Sequence, residues 1–193
     1  DVIAVTPQIE AQAMATQNNV SLGAVVRGVY WSDLAVRKPL WESLDEIEKR
    51  DFREKKGLRI GHAMAFKLGV NKGDYLTLTT AKGKTTAFGT LPTRRSFSIV
   101  GIFDVGMYEY DSSFVFLPLG LASNFFGYDN RVSALEVYVA APENISALRI
   151  MISESLPNNL KAFDWIERNR GFLNALSVER NVMFLILTLI ILV

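Results

Sequence analysis

The chain has 193 residues, with 21 basic and 20 acidic side chains, one histidine, no cysteine and a net charge of +1. This balance gives no electrostatic case for nucleic acid, whose binders carry a basic face, and the missing cysteine excludes disulfides, thiolate metal sites and cysteine nucleophiles. The length suits one ordinary domain or two small subdomains ahead of an apolar tail.

Residues 2–5 are a short apolar, β-leaning run that Pro7 interrupts, and residues 23–30 read as a second strand. Residues 31–56 mix both charge signs, as a solvated helix or loop does. Ile60, Met64 and Leu68 recur at helical spacing across 57–68, with Gly69 as the stop. Asn71-Lys72-Gly73-Asp74 signals a turn, 75–80 alternates as a strand does, and Lys82-Gly83-Lys84 is expected to turn the chain again. Residues 95–105 form the strongest strand, with Phe97, Ile99, Gly101 and Phe103 expected on one face and Val100 and Ile102 on the other.

Residues 114–117 predict a short buried strand, 119–126 a helix stopped by Gly127, and 133–139 another alternating strand. Pro142 opens a helix with Ile145, Leu148, Ile152 and Leu156 on one face, Pro157-Asn158-Asn159 ends it, and 160–165 predict a last strand. Residues 133–165 are thus expected to be a β-α-β unit, and the fold class is α+β. From Arg170 one helix runs into residues 182–193, which carry no charge. A bilayer core takes about 20 apolar residues, and a run of about 10–14 is more often a core helix. A core helix usually keeps a polar stripe, however, and this run has only Thr188, which can bond a carbonyl one turn back even in lipid. The run therefore reads as the start of a membrane span cut by the chain's end.

No catalytic constellation emerges. His62 is the sole histidine, in a helix-like setting, and there is no phosphate-binding glycine loop. Glu109 and Asp111 would share a face on a strand, where a carboxylate pair can do acid–base work, but the reading preferred is a solvated loop. No metal site and no cofactor are expected.

Residues 100–111, Val-Gly-Ile-Phe-Asp-Val-Gly-Met-Tyr-Glu-Tyr-Asp, resemble a signature stretch of the LolC/LolE family, and so do residues 165–176 continuing through Glu179-Arg180-Asn181-Val182-Met183-Phe184. Shorter echoes lie at 5–10, 26–29 and 68–74. The family comprises the membrane subunits of the lipoprotein-releasing ABC transporter of Gram-negative bacteria. The resemblance implies a MacB-like periplasmic core domain of two α+β subdomains over 1–169, with a protruding hairpin at about 85–95. Residues 170–193 then form a helix leading into a truncated transmembrane span. It implies an inner-membrane location with this domain in the periplasm. Expected partners are the chaperone LolA, lipoprotein cargo, a second LolC/LolE permease subunit, membrane lipid, and a separate LolD subunit that hydrolyses ATP. Arg168, Arg170 and Arg180 beside the span would alone place this side in the cytoplasm, but large domains cross regardless of such charges.

In the family, LolC-type subunits hold the chaperone with a hairpin called the Hook and a pad at its base. Ala87, Phe88, Gly89, Thr90, Leu91 and Pro92 stand where the Hook is expected, and Arg94 and Arg95 where paired donors of the pad are expected. Exposed Phe88 and Leu91 at a tip would mark a partner site; a plain hairpin folding its aromatic back on the sheet is the alternative. Ala87 departs from an expected proline and leaves the hairpin less stiff. Phe172, Leu173 and Leu176 are candidates for lining lipoprotein entry, or equally for ordinary interface anchors. Competing readings are a MacB-type efflux permease coupled to an adaptor protein, and a soluble enzyme with a buried C-terminal helix.

Overall fold

Two asparagines set the first hairpin. Asn18 and Asn19 take left-handed backbone angles, φ 49° and 61°, which this residue type tolerates in a two-residue turn. They join β1 (Val2–Gln17) to β2 (Val20–Val29), paired from Gln17↔Val20 to Gln8↔Val29. The computed structural model describes residues 2–86, 89–129, 131–141 and 144–192, with the side chains of 81–86, 89–91, 172 and 173 outside that description. Its compact units are Val2–Tyr138 and Val139–Val193.

In the first unit, β1 also pairs along its other edge with β4 (Tyr75–Thr86), from Met14↔Thr79 to Thr16↔Thr77. From there β4 pairs with β5 (Gly89–Phe103), β5 with β3 (Gly57–Gly61), β3 with β6 (Phe114–Pro118), and β6 with β2. Six strands thereby close a ring, and β7 (Ala134–Val139) pairs with β1. Ring closure removes the unpaired edges that an open sheet must shield.

Helices cover the ring. A 3-10 helix (Trp31–Val36), α1 (Lys38–Glu42) and α2 (Glu46–Arg53) bury Leu34, Leu40, Leu44 and Phe52 with Val100, Phe103 and Phe116. The second cluster joins α3 (His62–Leu68) and α5 (Leu119–Phe126) to residues of all six ring strands, including Ile9, Val26, Leu58, Leu78, Ile99 and Leu117. Gly69 ends α3 and Gly127 ends α5, both left-handed with φ 63° and 69°, as C-terminal glycines do. Between β5 and β6 lies α4 (Tyr108–Ser113).

Five expectations from the sequence are corrected in this unit. First, β1 runs through Pro7, which lies one residue outside the β1–β2 ladder, so its missing N–H removes no bond from that ladder. Second, residues 57–61 are a strand, not the first turns of a helix. This strand is buried along its whole length, and a short apolar run surrounded by neighbours carries no usable period.

Third, Lys82-Gly83-Lys84 continues β4. The pairing slips between Thr80↔Thr93 and Lys84↔Leu91, opposite Pro92, which lacks an N–H to donate. Fourth, Phe103 changes face. Leu58 pairs with Ile99 but Arg59 with Gly101, so Val100 is an extra residue in β5, and one inserted residue flips every side chain beyond it. Phe97 and Ile99 therefore join one cluster while Val100 and Phe103 join the other. Fifth, Glu109 and Asp111 sit on α4, and Asp111 is buried, its carboxylate accepting the Val105 N–H at 3.1 Å.

The second unit contains α6 (Ile145–Ser155), α7 (Trp165–Arg168) and α8 (Arg170–Leu192). Residues 160–164 are not a strand, so the β-α-β unit does not form. Asp164 is buried and caps α7, accepting the Glu167 N–H at 2.7 Å and the Arg149 Nε–H at 3.2 Å. A buried carboxylate that must serve a cap and an ion pair holds this stretch out of a regular ladder.

The charged stretch 31–56 is only partly solvated. Arg59, 1% exposed, points from β3 under α1 and α2, donating to the Leu40 carbonyl at 3.3 Å, Ser43 Oγ at 3.2 Å and Glu48 at 3.4 Å. Lys72 reaches Glu48 and Asp45 from outside, at 3.2 and 2.8 Å. Burial pulls the Arg59 guanidinium down to about 10, with Glu48 only partly offsetting it. Gly101 leaves room for the pair, since a Cβ there would lie 2.7 Å from Glu48 Cδ and 2.9 Å from Arg59 Nε. Removing one partner of such a pair costs about 3–5 kcal/mol, because the other charge stays buried alone. Glu48→Ala is therefore expected to lower unfolding free energy by about that amount in a urea titration, while Glu46→Ala, on the exposed side of α2, shifts it by less than about 0.5 kcal/mol.

Candidate partner-binding hairpin and membrane helix

The β4–β5 ladder runs from Tyr75↔Ser98 to Thr86↔Gly89. Pairing of β1 with β4 extends only to Met14↔Thr79, and pairing of β3 with β5 begins at Gly57↔Ser98. Among the described pairings, the rest of the hairpin is held only by its own two strands. The eight residues from Thr79 to Thr86, at strand rise, make an arm about 23 Å long. Such an arm presents backbone and side chains on both faces.

Ala87 and Phe88, expected at the tip, lie outside the described residues. Gly89, Thr90 and Leu91 are on β5, with pairing partners Thr86, Thr85 and Lys84. Pro92 is exposed opposite the β4 bulge. Arg94 and Arg95 are both exposed, paired with Thr79 and Leu78. Neighbours on a strand point to opposite faces, so the structure separates these two donors instead of setting them side by side on one rim. Arg95 places its guanidinium over the Phe97 ring at 5.1 Å, and Phe97 meets Phe125 edge-on at 5.6 Å. Arg95 thus covers the end of the core, and no local pattern in the sequence announced that role.

The stretch 106–111 is a packing device. The Tyr110 ring stacks on Phe114 at 4.0 Å, and Arg27 lies over Phe114 at 4.7 Å while donating to Tyr110 Oη at 3.3 Å and Glu10 at 2.8 Å. Burial pushes the Tyr110 phenol up, against the pull of Arg27. Behind α4, a Cβ on Gly61 would lie 2.1 Å from the Asp111 carbonyl oxygen, so only glycine lets β3 and α4 approach this closely. Among the described residues no group of carboxylates, histidines or cysteines is placed to hold a metal. His62 is exposed at the start of α3.

Within α8, Asn174–Leu192 is a 19-residue segment of mean hydropathy 1.9 with nothing buried. At 1.5 Å per residue it extends about 28 Å, close to a bilayer's hydrocarbon thickness. Thr188 donates its hydroxyl to the Phe184 carbonyl at 2.8 Å, leaving no free polar group along the apolar run. Leu176 is 45% exposed. Phe172 and Leu173 are also on α8, their side chains outside the description.

No family model matches the chain. It is 28% identical over 195 residues to the lipoprotein-releasing system transmembrane protein LolC of Neisseria meningitidis serogroup B, covering 98% of this chain and 46% of that protein. It is 29% identical over 189 residues to LolC of Haemophilus influenzae, covering 92% and 44%. The LolE protein of H. influenzae matches at 25% over 141 residues, covering 72% and 34%. The chain thus spans about half the length, or less, of the curated relatives it matches. Among solved structures, the extracellular domain of the noncanonical ABC-type transporter YknZ from Gram-positive bacteria superposes with TM-score 0.52 at 16% identity, covering 82% of this chain and 76% of that one. The α+β fold is shared with that transporter domain.

Two measurements check this geometry. Arg95→Ala is expected to cost about 0.5–1 kcal/mol in thermal unfolding through the lost ring contact, whereas Arg94→Ala stays within about 0.5 kcal/mol of the parent. Leu187→Arg, at the middle of the apolar helix, is expected to make its insertion about 3–4 kcal/mol less favourable in a translocon insertion assay.

Proposed function

This chain belongs to the LolC/LolE family of transmembrane proteins of lipoprotein-releasing systems, and from that premise we propose that it is the periplasmic portion of a permease that docks a lipoprotein chaperone on the β4–β5 arm. In this reading residues 1–169 lie in the periplasm and 170–193 lead into the inner membrane. The subunit is non-catalytic; a LolD-like partner hydrolyses ATP, and a second LolC/LolE-type permease subunit completes the membrane part. Lipoprotein leaves the membrane and passes to a LolA-like chaperone held through residues 87–92.

The observation that carries the proposal is the arm itself, whose strands, among the described pairings, pair only with each other beyond the ring. A chaperone cavity that accepts acyl chains is apolar, and a narrow two-stranded arm bearing Phe88 and Leu91 is the shape and chemistry that enters one. Arg94, exposed at the arm's base, is free to meet carboxylates or carbonyls at the cavity's rim. Arg95, engaged with Phe97, contributes less. Phe172, Leu173 and Leu176, on the first turns of α8, are the positions proposed to meet the lipoprotein as it leaves the outer leaflet. The curated LolC and LolE relatives favour this reading over an efflux permease coupled to an adaptor.

The test is capture of purified LolA-type chaperone by the immobilised chain in detergent. Phe88→Asp is expected to abolish capture and Arg94→Glu to weaken it by about tenfold, the scale of one lost charged hydrogen bond. Undiminished capture by both variants removes the docking arm.

A further inference from the structure

Away from the arm, the first unit carries an open cleft of about 670 Å³ between the end of α2, the start of α5 and the segment before β7. Its walls hold three cationic side chains, Arg53, Lys55 and Arg131, and no carboxylate. All three are exposed, and among the described residues none forms an ion pair. Their neighbours behave differently, since Arg50 and Lys56 both engage Asp51, and Lys56 also engages Glu54. Asp51 and Glu54 are therefore already engaged, and the cleft lining itself carries only positive charge.

Two of the three cations are held by contacts. Arg131 donates Nε–H to the Tyr128 carbonyl at 3.3 Å. Lys55 adopts a left-handed backbone, φ 59°, and its ammonium crosses to Gly120, where a Cβ would lie 3.5 Å from Nζ. Low-dielectric walls focus the field of these charges into the cleft. The accessible lining is more apolar than polar, chiefly Trp31, Tyr30 and Val132, over a floor of Val29 and Phe52 that is fully buried. Ser32 and Ser123 supply neutral hydrogen-bonding groups.

We infer that this cleft binds an acidic peptide segment, one carrying carboxylates on either side of a single large apolar side chain. Charge complementarity selects the carboxylates, since among the described residues these three cations pair with no acid. The cleft volume is that of a ligand site, not of one inorganic anion. The apolar patch accepts one side chain, whereas a pair of acyl chains would need a longer apolar floor. The Ser123 hydroxyl is suited to peptide N–H and C=O groups, and Ser32 Oγ, which donates to Asp33 at 2.9 Å, to a peptide N–H. The proposal does not depend on the chaperone-docking reading, because it uses none of the arm's residues.

The probe is a fluorescein-labelled peptide with Glu residues flanking one Phe, titrated by anisotropy against the full chain in detergent. Its Gln counterpart, inorganic phosphate and anionic phospholipid micelles serve as competitors. The Glu peptide is expected to bind with affinity that falls as salt rises, and the Gln peptide to bind at least about tenfold more weakly. Lys55→Glu with Arg131→Glu is expected to lose binding by about tenfold or more, Arg131→Lys to retain it, and Lys38→Glu, an exposed reversal outside the cleft, to leave it unchanged. Equal binding of the two peptides, no binding of the Glu peptide, or equal loss in Lys38→Glu would overturn the assignment. Complete displacement by phosphate alone would reduce the cleft to an anion site, and displacement only by anionic micelles would make it a lipid site; either result also overturns it. Chaperone capture measured on the same variants is expected to be unchanged, which separates failure here from failure of the docking arm.

Discussion

A strand has two hydrogen-bonding edges, and β1 uses both within the ring, against β2 and against β4. That double pairing closes six strands and fixes everything placed on them. Once closed, and with β7 added along β1, the ring leaves little unpaired edge, and the segment that projects does so as a strand pair satisfied internally. That segment is the β4–β5 arm. Its backbone groups bond across the arm itself, and the arm can extend into solvent or into a partner's cavity without exposing an unmatched ladder.

The same closure concentrates polar compromise at a few points. β3 lies between β5 and β6 and is buried on all sides, yet it carries Arg59. The guanidinium is tolerated because α1 and α2 present two carbonyls, a hydroxyl and Glu48 to it, and because Gly101 withholds a side chain from the space the pair occupies. Nearby, the bulge at Val100 turns Phe103 toward Tyr110 and Phe116, at 6.1 and 5.4 Å. Positioned by these contacts, the stretch 106–111 acts as a latch between β5 and β6. There Tyr110 stacks on Phe114 and the Asp111 carboxylate holds the Val105 N–H.

Arg94 and Arg95 show how far residue type alone can carry a functional reading. Adjacent in sequence, they look like one paired recognition element. On a strand they part to opposite faces, and the aromatic ring two residues on engages Arg95. Arg53, Lys55 and Arg131 show the reverse. The first two sit in a mixed-sign stretch that reads as solvated surface, and the third is far along the chain, yet the fold brings all three to one cleft.

Several features arise from local chemistry and were legible in the chain. Gly69 and Gly127 end their helices because only a residue without Cβ takes the left-handed turn cheaply. The apolar end of the last helix, from Val182, needed no tertiary information, because an uncharged run is a property of composition. The α+β class was equally readable. Only tertiary structure decided the rest. The strand at 57–61 has no period of its own because neighbours bury every face, the bulges at Val100 and opposite Pro92 depend on cross-strand register, and Asp164 is drawn from an expected strand by a cap and an ion pair. Each is settled by partners distant in sequence or competing for the same group, and a one-dimensional pattern does not encode which partner wins.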